Sequence, residues 1–159
     1  MPLYTRKNSL RLQGYDYSQS GAYFVTICTH ERAHLFGEIE DGEMRPSKLG
    51  EIAAACWMGI PAHYPRVELA GFVIMPNHLH GILVLHGENQ HTLSRIVAGY
   101  KGAVTHHAKR ATIGIDLETP LWQRNFHDRI IRSEHEYETI AAYITNGASH
   151  NENSAILSV

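Results

Sequence analysis

The sequence has little cysteine and no long apolar run. Only two cysteines, Cys28 and Cys56, occur in 159 residues, far apart and outside any CxxC pattern. This scarcity argues against a disulfide framework or a zinc knuckle and favours a reducing compartment. No apolar stretch reaches the roughly 18 residues that span a bilayer, and the N-terminus lacks the apolar core of a signal peptide. We therefore expect a soluble, cytoplasmic protein.

A strong net charge is also missing. The formal charge is -2 and the pI is about 6.6, so any anionic partner has to be held by local clusters of Arg and Lys. With 159 residues, 43% of them hydrophobic, the chain is long enough for one core and short for two. We expect a single domain over residues 1–159, with the polar, basic residues 1–21 as an extended arm.

The hydrophobic pattern predicts strands mixed with helices. Apolar and β-branched runs predict four strands, over residues 22–30, 67–75, 79–86 and 126–133. The run at 79–86 is apolar on both faces, so it is predicted to be central. The pair Asp41–Gly42 predicts an extra hairpin after the first strand.

Three segments have the spacing of amphipathic helices. They are residues 47–61, which Pro61 is expected to end, residues 92–110, and a last helix that follows the capping box formed by Ser133 and Glu136. The order is strand, helix, strand, strand, helix, strand, helix. It favours an α+β fold, a ferredoxin-like antiparallel sheet with helices packed on it.

Two histidines interrupt the apolar run FVIMPNHLHGILVL. Because a strand repeats every second residue, His78 and His80 must project from the same face, with Leu79 on the other. Two imidazoles on one face form half of a metal site, with room left for a substrate oxygen. The alternative is a pair of structural histidines satisfied by hydrogen bonds. The spacing alone does not choose the metal.

The last helix offers a tyrosine outside its apolar stripe. At 100° per residue, Tyr137, Ile140, Ala141 and Ile144 form one stripe, and Tyr143 lies beside it. This projection predicts Tyr137 in the core and Tyr143 at the rim. Tyr143 gains a function only if the helix packs across the face that carries the two histidines.

Basic residues cluster in three places. The clusters are Arg6, Lys7 and Arg11 in the arm; Arg95 and Lys101 on the second helix; and Arg124, Arg129 and Arg132 near the last strand. Aromatic residues lie close by in the sequence, among them Tyr4 and Trp122. Interleaved basic and aromatic side chains suit single-stranded nucleic acid, although each cluster is also compatible with a solvated basic face.

Together these motifs resemble a known family. SLRLQGYDYSQSGAYFVTICT, VIMPNHLHGILVL, TLSRIVAGYKGAVT and WQRNFHDRIIRSEHEYETIAAYI are similar, in order and spacing, to the REP-associated tyrosine transposases, a bacterial branch of the single-tyrosine HUH transposases. The resemblance extends from about Arg6 to Ala148. The HUH motif itself corresponds to His78, Leu79 and His80.

The resemblance implies a mechanism for cutting DNA. It implies that His78 and His80 bind a divalent ion, Mg²⁺ or Mn²⁺, and that Tyr143 attacks a phosphodiester of single-stranded DNA, leaving a 5'-phosphotyrosine and a free 3'-hydroxyl. In the family pattern, an Asn four residues after the tyrosine supplies a third ligand. Gly147 stands there in this chain, so either Asn146 or a water or DNA oxygen has to complete the coordination, and weaker metal binding is expected.

The resemblance also implies a DNA hairpin, a repetitive extragenic palindrome (REP), as substrate. Arg6, Lys7 and Arg11 become candidates for reading it, and Lys101, Arg124 and Arg129 for holding its backbone. Two alternatives stay open: a hairpin-binding protein that has lost its chemistry, and a metal-dependent phosphoesterase that uses water as nucleophile. The family contains both monomers and homodimers, and either state is compatible with the sequence.

Overall fold

The computed structural model describes residues 21–87, 91–111 and 118–147. The strands are β1 (Gly21–Cys28), β2 (Gly37–Glu40), β3 (Glu43–Pro46), β4 (Val67–Met75), β5 (His78–Leu85) and β6 (His127–Ile131). The helices are α1 (Lys48–Met58), α2 (Ile60–His63), α3 (Leu93–Ala111) and α4 (Glu134–Gly147), and a 3-10 turn covers His30–Arg32.

The main sheet has the strand order β4-β5-β1-β6, and each neighbouring pair is antiparallel. With α1 between β1 and β4, and α3 between β5 and β6, this is the ferredoxin-like arrangement that the element order predicted. The central position of β5 is confirmed as well. A strand that is apolar on both faces has to be covered on both, and here helices lie on each side of the sheet.

The predicted hairpin forms between β2 and β3. Its two linking residues, Asp41 and Gly42, have φ angles of 53° and 77°. Positive φ at both central positions matches the right-handed twist of the flanking strands, which is why Asp-Gly is favoured there. The predicted basic arm, with Arg6, Lys7 and Arg11, lies outside the described residues, except that Gly21 already belongs to β1.

The prediction that Pro61 ends the first helix is wrong. α1 begins after Ser47, whose hydroxyl accepts a hydrogen bond from the amide of Gly50, and it ends at Met58. After Gly59, a short second helix begins at Ile60 and has Pro61 in its first turn. Proline is tolerated there because the first amides of a helix have no partner within it.

Two apolar clusters lie on opposite faces of the main sheet. The larger is formed with α1 and α3 and includes Trp57, Leu79 and Leu83. The smaller is formed with α4, and its buried members are Phe24, Val73, Met75, Ile82, Ile140 and Ile144.

The stripe predicted for the last helix needs one correction. Ile140 and Ile144 are buried, but Tyr137 is only half-buried, like Tyr143. Both tyrosines flank the two isoleucines, and neither is a core residue.

Helix α3 carries the apolar stripe that the spacing predicted. Leu93, Ile96, Val97, Tyr100 and Val104 are all buried. The hydroxyl of Tyr100 donates to the backbone oxygen of Ala53 at 3.0 Å and so ties α3 to α1. The other side of α3 is polar. Among the described residues, no helix is long and apolar enough to cross a membrane.

Candidate active site

Alternation along β5 separates its side chains between the two faces. Leu79 and Leu83 enter the cluster under α1 and α3, whereas Ile82 enters the cluster under α4. His78 and His80 share the parity of Ile82, so both imidazoles lie on the face that α4 covers. Their ring centroids are 4.6 Å apart.

His78 is buried and neutral. The residue is only 3% exposed. Its Nδ1 lies 2.6 Å from Oδ1 of Asn77, and its buried Nε2 has no hydrogen-bond partner. Burial, helped by the positive charge of Arg32, lowers the pKa of His78 to about 4. The imidazole is therefore uncharged at neutral pH, the form in which histidine binds metal ions.

His80 is held by the neighbouring strand. Thr26 lies directly opposite it in β1, and the Thr26 Oγ1 is 2.9 Å from the His80 Nδ1. The ring of Phe24 stacks on the imidazole with a centroid distance of 5.2 Å. Thr26 thus contacts the Nδ1 of His80 and not its other ring nitrogen, Nε2.

Tyr143 lies beside His80. The centroids of the two rings are 5.8 Å apart in an edge-on arrangement. Ile140 and Ile144 anchor α4 to the sheet, and the capping box fixes where the helix begins, because Ser133 Oγ accepts from the Glu136 amide. In return, the Glu136 side chain accepts a hydrogen bond at its Oε2 from the amide of Arg132, at 2.9 Å.

The position expected to supply a third metal ligand lies in the last turn of α4. The helix stays regular through Gly147, which has no side chain to contribute, and Asn146 is exposed one turn beyond Tyr143. Residues three apart are neighbours on a helix surface, so Asn146 and Tyr143 share one side of α4. Within the described part of the chain, no group of three His, Cys, Asp or Glu residues is arranged to hold a metal ion.

The basic residues of α3 and those near the last strand have different surroundings. The ammonium of Lys101 donates to the backbone oxygens of Gln123 and Asn125, at 3.1 and 2.6 Å, so it holds the loop in which Arg124 is exposed. Arg129 is half-buried opposite Phe24, on the face that carries the histidines. Arg95 and Arg132 are exposed.

Three residues of this site were not singled out in the sequence. Asn77 and Thr26 hold the two imidazoles, and His127 lies opposite Thr26 in β6. Directly paired residues share a face, so His80, Thr26 and His127 form one row across the sheet. One signal in the sequence could have pointed to Thr26. It lies two residues after the apolar Phe24 and shares its face of β1, where an apolar residue would be expected.

Comparison with known proteins identifies the family. The model of the IS200-like transposases matches residues 18–147, which include every residue of the site described above. The chain belongs to the IS200-like transposase family. An uncharacterized protein from Haemophilus influenzae Rd is 36% identical over 161 residues, covering 88% of this chain and 87% of that protein.

Two solved structures share the fold of this transposase. One is a REP-associated tyrosine transposase bound to a REP hairpin, with a TM-score of 0.63, 20% identity, and coverage of 87% of this chain and 72% of that one. The other is a protein from Deinococcus radiodurans R1 that is provisionally described as a transposase, with a TM-score of 0.50, 23% identity, and coverage of 89% and 98%.

Proposed function

We propose that this transposase nicks and rejoins single-stranded DNA at hairpin sites, with Tyr143 as nucleophile and a divalent cation, Mg²⁺ or Mn²⁺, bound by His78 and His80. One observation carries the proposal. The ring of Tyr143 lies 5.8 Å from the ring of His80, on the sheet face that also presents the buried Nε2 of His78. The proposed nucleophile and the two proposed metal ligands thus lie close together between α4 and β5.

The residues present fit a divalent cation. A buried nitrogen without a hydrogen-bond partner, such as Nε2 of His78, is costly unless something binds it. His78 and His80 would supply two imidazole ligands, and Asn146 is the candidate for a third. When bound, the cation supplies positive charge to a non-bridging oxygen of the scissile phosphate.

The chain's own residues account for the remaining chemistry. The Tyr143 oxygen attacks phosphorus and its proton passes to water, while the bond from phosphorus to the 3' oxygen breaks and this oxygen takes a proton from water to leave as a 3'-hydroxyl. The product is a 5'-phosphotyrosine. Attack by the 3'-hydroxyl of another strand reverses these bond changes and restores the tyrosine. Because one phosphoester replaces another, rejoining needs no ATP.

A DNA hairpin is the proposed substrate. The support is the fold shared with a transposase that was solved bound to a REP hairpin, together with the half-buried Arg129 on the histidine face. Arg6, Lys7 and Arg11 remain candidates for reading the hairpin, and Arg124 for holding its backbone.

Covalent trapping tests the proposal. The full chain is incubated with a labelled single-stranded hairpin and Mn²⁺, and the products are resolved on a denaturing gel. We expect a protein–DNA adduct that EDTA prevents and that peptide mapping assigns to Tyr143. Cleavage without an adduct would instead support a phosphoesterase that uses water, and the proposal would fall.

A hairpin-binding protein without catalysis is the second candidate. The observation that favours it is Gly147, which provides no side chain where the family pattern has a metal-ligating Asn. In the same experiment, a shift of the hairpin on a native gel with neither cleavage nor adduct at millimolar Mn²⁺ would support this candidate.

A further inference from the structure

We infer that Asn77 is a positioning residue, which fixes His78 in the tautomer that carries its proton on Nδ1 and leaves a lone pair on Nε2. The inference deepens the proposed function, because a divalent cation is the ligand that such a lone pair would take. The residue precedes the strand and is not itself expected to touch the ion.

The orientation of the Asn77 amide follows from its two partners. Its Nδ2 lies 3.4 Å from the backbone oxygen of Arg32, and its Oδ1 lies 2.6 Å from Nδ1 of His78. A backbone oxygen only accepts, so the amide nitrogen has to face Arg32. In the flipped amide, two oxygens would face each other. The Arg32 carbonyl therefore selects the orientation that points Oδ1 at His78.

The tautomer of His78 follows from that orientation. An amide oxygen only accepts hydrogen bonds, so Nδ1 of His78 has to be the donor. A neutral imidazole has one proton, and with this proton on Nδ1 the other nitrogen, Nε2, is an acceptor. That Nε2 is the buried atom without a hydrogen-bond partner.

Backbone contacts keep Asn77 in place. The amide of Thr29 donates to the Asn77 backbone oxygen at 3.0 Å, and the amide of Phe36 donates to the Pro76 backbone oxygen at 2.9 Å. Glu31 and Arg32 have φ angles of 52° and 57°, which non-glycine residues rarely adopt. This left-handed turn places the Arg32 carbonyl beside the Asn77 amide, and strained backbone of this kind is commonly retained at functional sites.

The Nδ1 partner of His80 is of a different kind. Its Nδ1 partner is the hydroxyl of Thr26, which can either donate or accept. Thr26 therefore positions the ring of His80 without imposing a tautomer. The two imidazoles differ in this respect, and the difference provides a control.

Nitrogen NMR on the metal-free full chain tests the inference. With ¹⁵N-labelled histidine at neutral pH, and with the His78 signals identified by their loss in His78→Gln, we expect a single Nδ1–H tautomer for His78. Asn77→Asp keeps an acceptor for Nδ1 of His78 and should keep that tautomer, although it loses the hydrogen bond to the Arg32 carbonyl. Asn77→Ala should bring the Nε2–H form into exchange. Thr26→Val, the matched control, should alter the His80 signals only.

Metal binding gives a second readout. The Kd for Mn²⁺, measured by calorimetry without DNA, should weaken about 10- to 100-fold in Asn77→Ala and recover in Asn77→Asp. An Nε2–H tautomer in the unmodified protein, or an unchanged tautomer in Asn77→Ala, would overturn the inference. If the tautomer is as expected but no DNA adduct forms, the proposed function fails and the role of Asn77 stands.

Discussion

The two faces of the main sheet are built for different purposes. The face under α1 and α3 is mainly apolar, with Trp57, Leu79 and Leu83 fully buried, and the buried Asp128 opposite Val25 is a polar exception. The face under α4 has a much smaller apolar cluster, and at its edge β5 presents His78 and His80. Because the side chains of a strand alternate, β5 contributes to both faces with consecutive residues.

The two faces of this sheet therefore have different roles: the face under α1 and α3 serves stability, and the face under α4 serves the proposed chemistry. Apolar burial contributes most of the folding free energy, and most of it lies under α1 and α3. The face under α4 can therefore keep polar groups in fixed positions, at a cost that the opposite face offsets. Substitutions on the α1 and α3 face should change the free energy of unfolding, and substitutions on the α4 face should mainly change the chemistry.

The largest expected effect is the loss of the nucleophile on the α4 face. Tyr143→Phe keeps the ring beside His80 but removes the attacking oxygen, so adduct formation should fall by about 10⁴-fold or more. The matched control is Tyr137→Phe, since Tyr137 is half-buried on the same helix. A quantitative adduct gel measures both rates. Equal loss in the two variants would mean that Tyr143 has no special role.

The second effect belongs to the opposite face. Leu79→Ala removes a fully buried side chain and should lower the free energy of unfolding by about 4 kcal/mol, measured by urea denaturation. The control on the same strand is Val84→Ala, where the side chain is half-buried beside the α4 cluster and about 1 kcal/mol is expected. A loss of Mn²⁺ affinity in folded Leu79→Ala that exceeds the loss in His78→Gln would contradict the separation of the two faces.

The sheet could be predicted because its signals are local or periodic. Alternation placed both histidines on one face, and the order of the elements indicated the ferredoxin-like sheet. The short helix α2 escaped prediction because Pro61 is as compatible with a first turn as with an end. A helical projection also does not show how far a helix stands from the sheet, so it predicts Tyr137 in the core although the residue is half-buried.

The supporting residues of the site could not be predicted from local pattern. Thr26 and His80 are 54 residues apart and meet only because β1 and β5 pair in a particular register. Asn77 reads in the sequence as part of a Pro-Asn turn. Its second role depends on the carbonyl of Arg32, which belongs to a separate segment.

The third effect is a dependence of stability on pH that originates on the α4 face. The pKa of His78 is lowered to about 4 in the folded protein, against 6.5 in the unfolded chain. The unfolded state therefore binds more protons between these values, and stability is fully present above pH 6.5 and is lost as the pH falls towards 4. At 1.36 kcal/mol per unit, we expect a loss of about 3 kcal/mol from pH 7 to pH 4.

Urea denaturation of the metal-free protein at a series of pH values measures this loss. His78→Gln removes the titrating group and should flatten the profile by the same amount. The other histidines are common to both proteins, so the difference between the two profiles isolates His78. Parallel profiles would show that His78 is not held in the uncharged form by burial.

The fourth effect compares two glycines. A Cβ at Gly81 would collide with the buried ring of Trp57, whereas a Cβ at Gly102 on α3 would meet no atom within 4 Å. Gly81→Ala should therefore destabilise the protein by about 2 kcal/mol through overpacking on the α1 and α3 face. Gly102→Ala should stabilise it by up to about 1 kcal/mol, because alanine favours the helix. Thermal unfolding measures both, and a destabilised Gly102→Ala would contradict the assigned surroundings.

The smallest expected effect concerns two basic residues, Lys101 on helix α3 and Arg129 on the face that carries the histidines. Lys101→Met removes two hydrogen bonds to the loop that carries Arg124, so we expect a loss of about 1 kcal/mol in unfolding free energy. Its ammonium is engaged by backbone oxygens, so the salt dependence of hairpin binding should hardly change. Arg129→Gln, on the histidine face, should instead reduce the slope of log K against log salt by about one. Fluorescence anisotropy at several salt concentrations distinguishes them, and an equal reduction in slope for both variants would show that Lys101 also contacts DNA phosphate, as the resemblance implies.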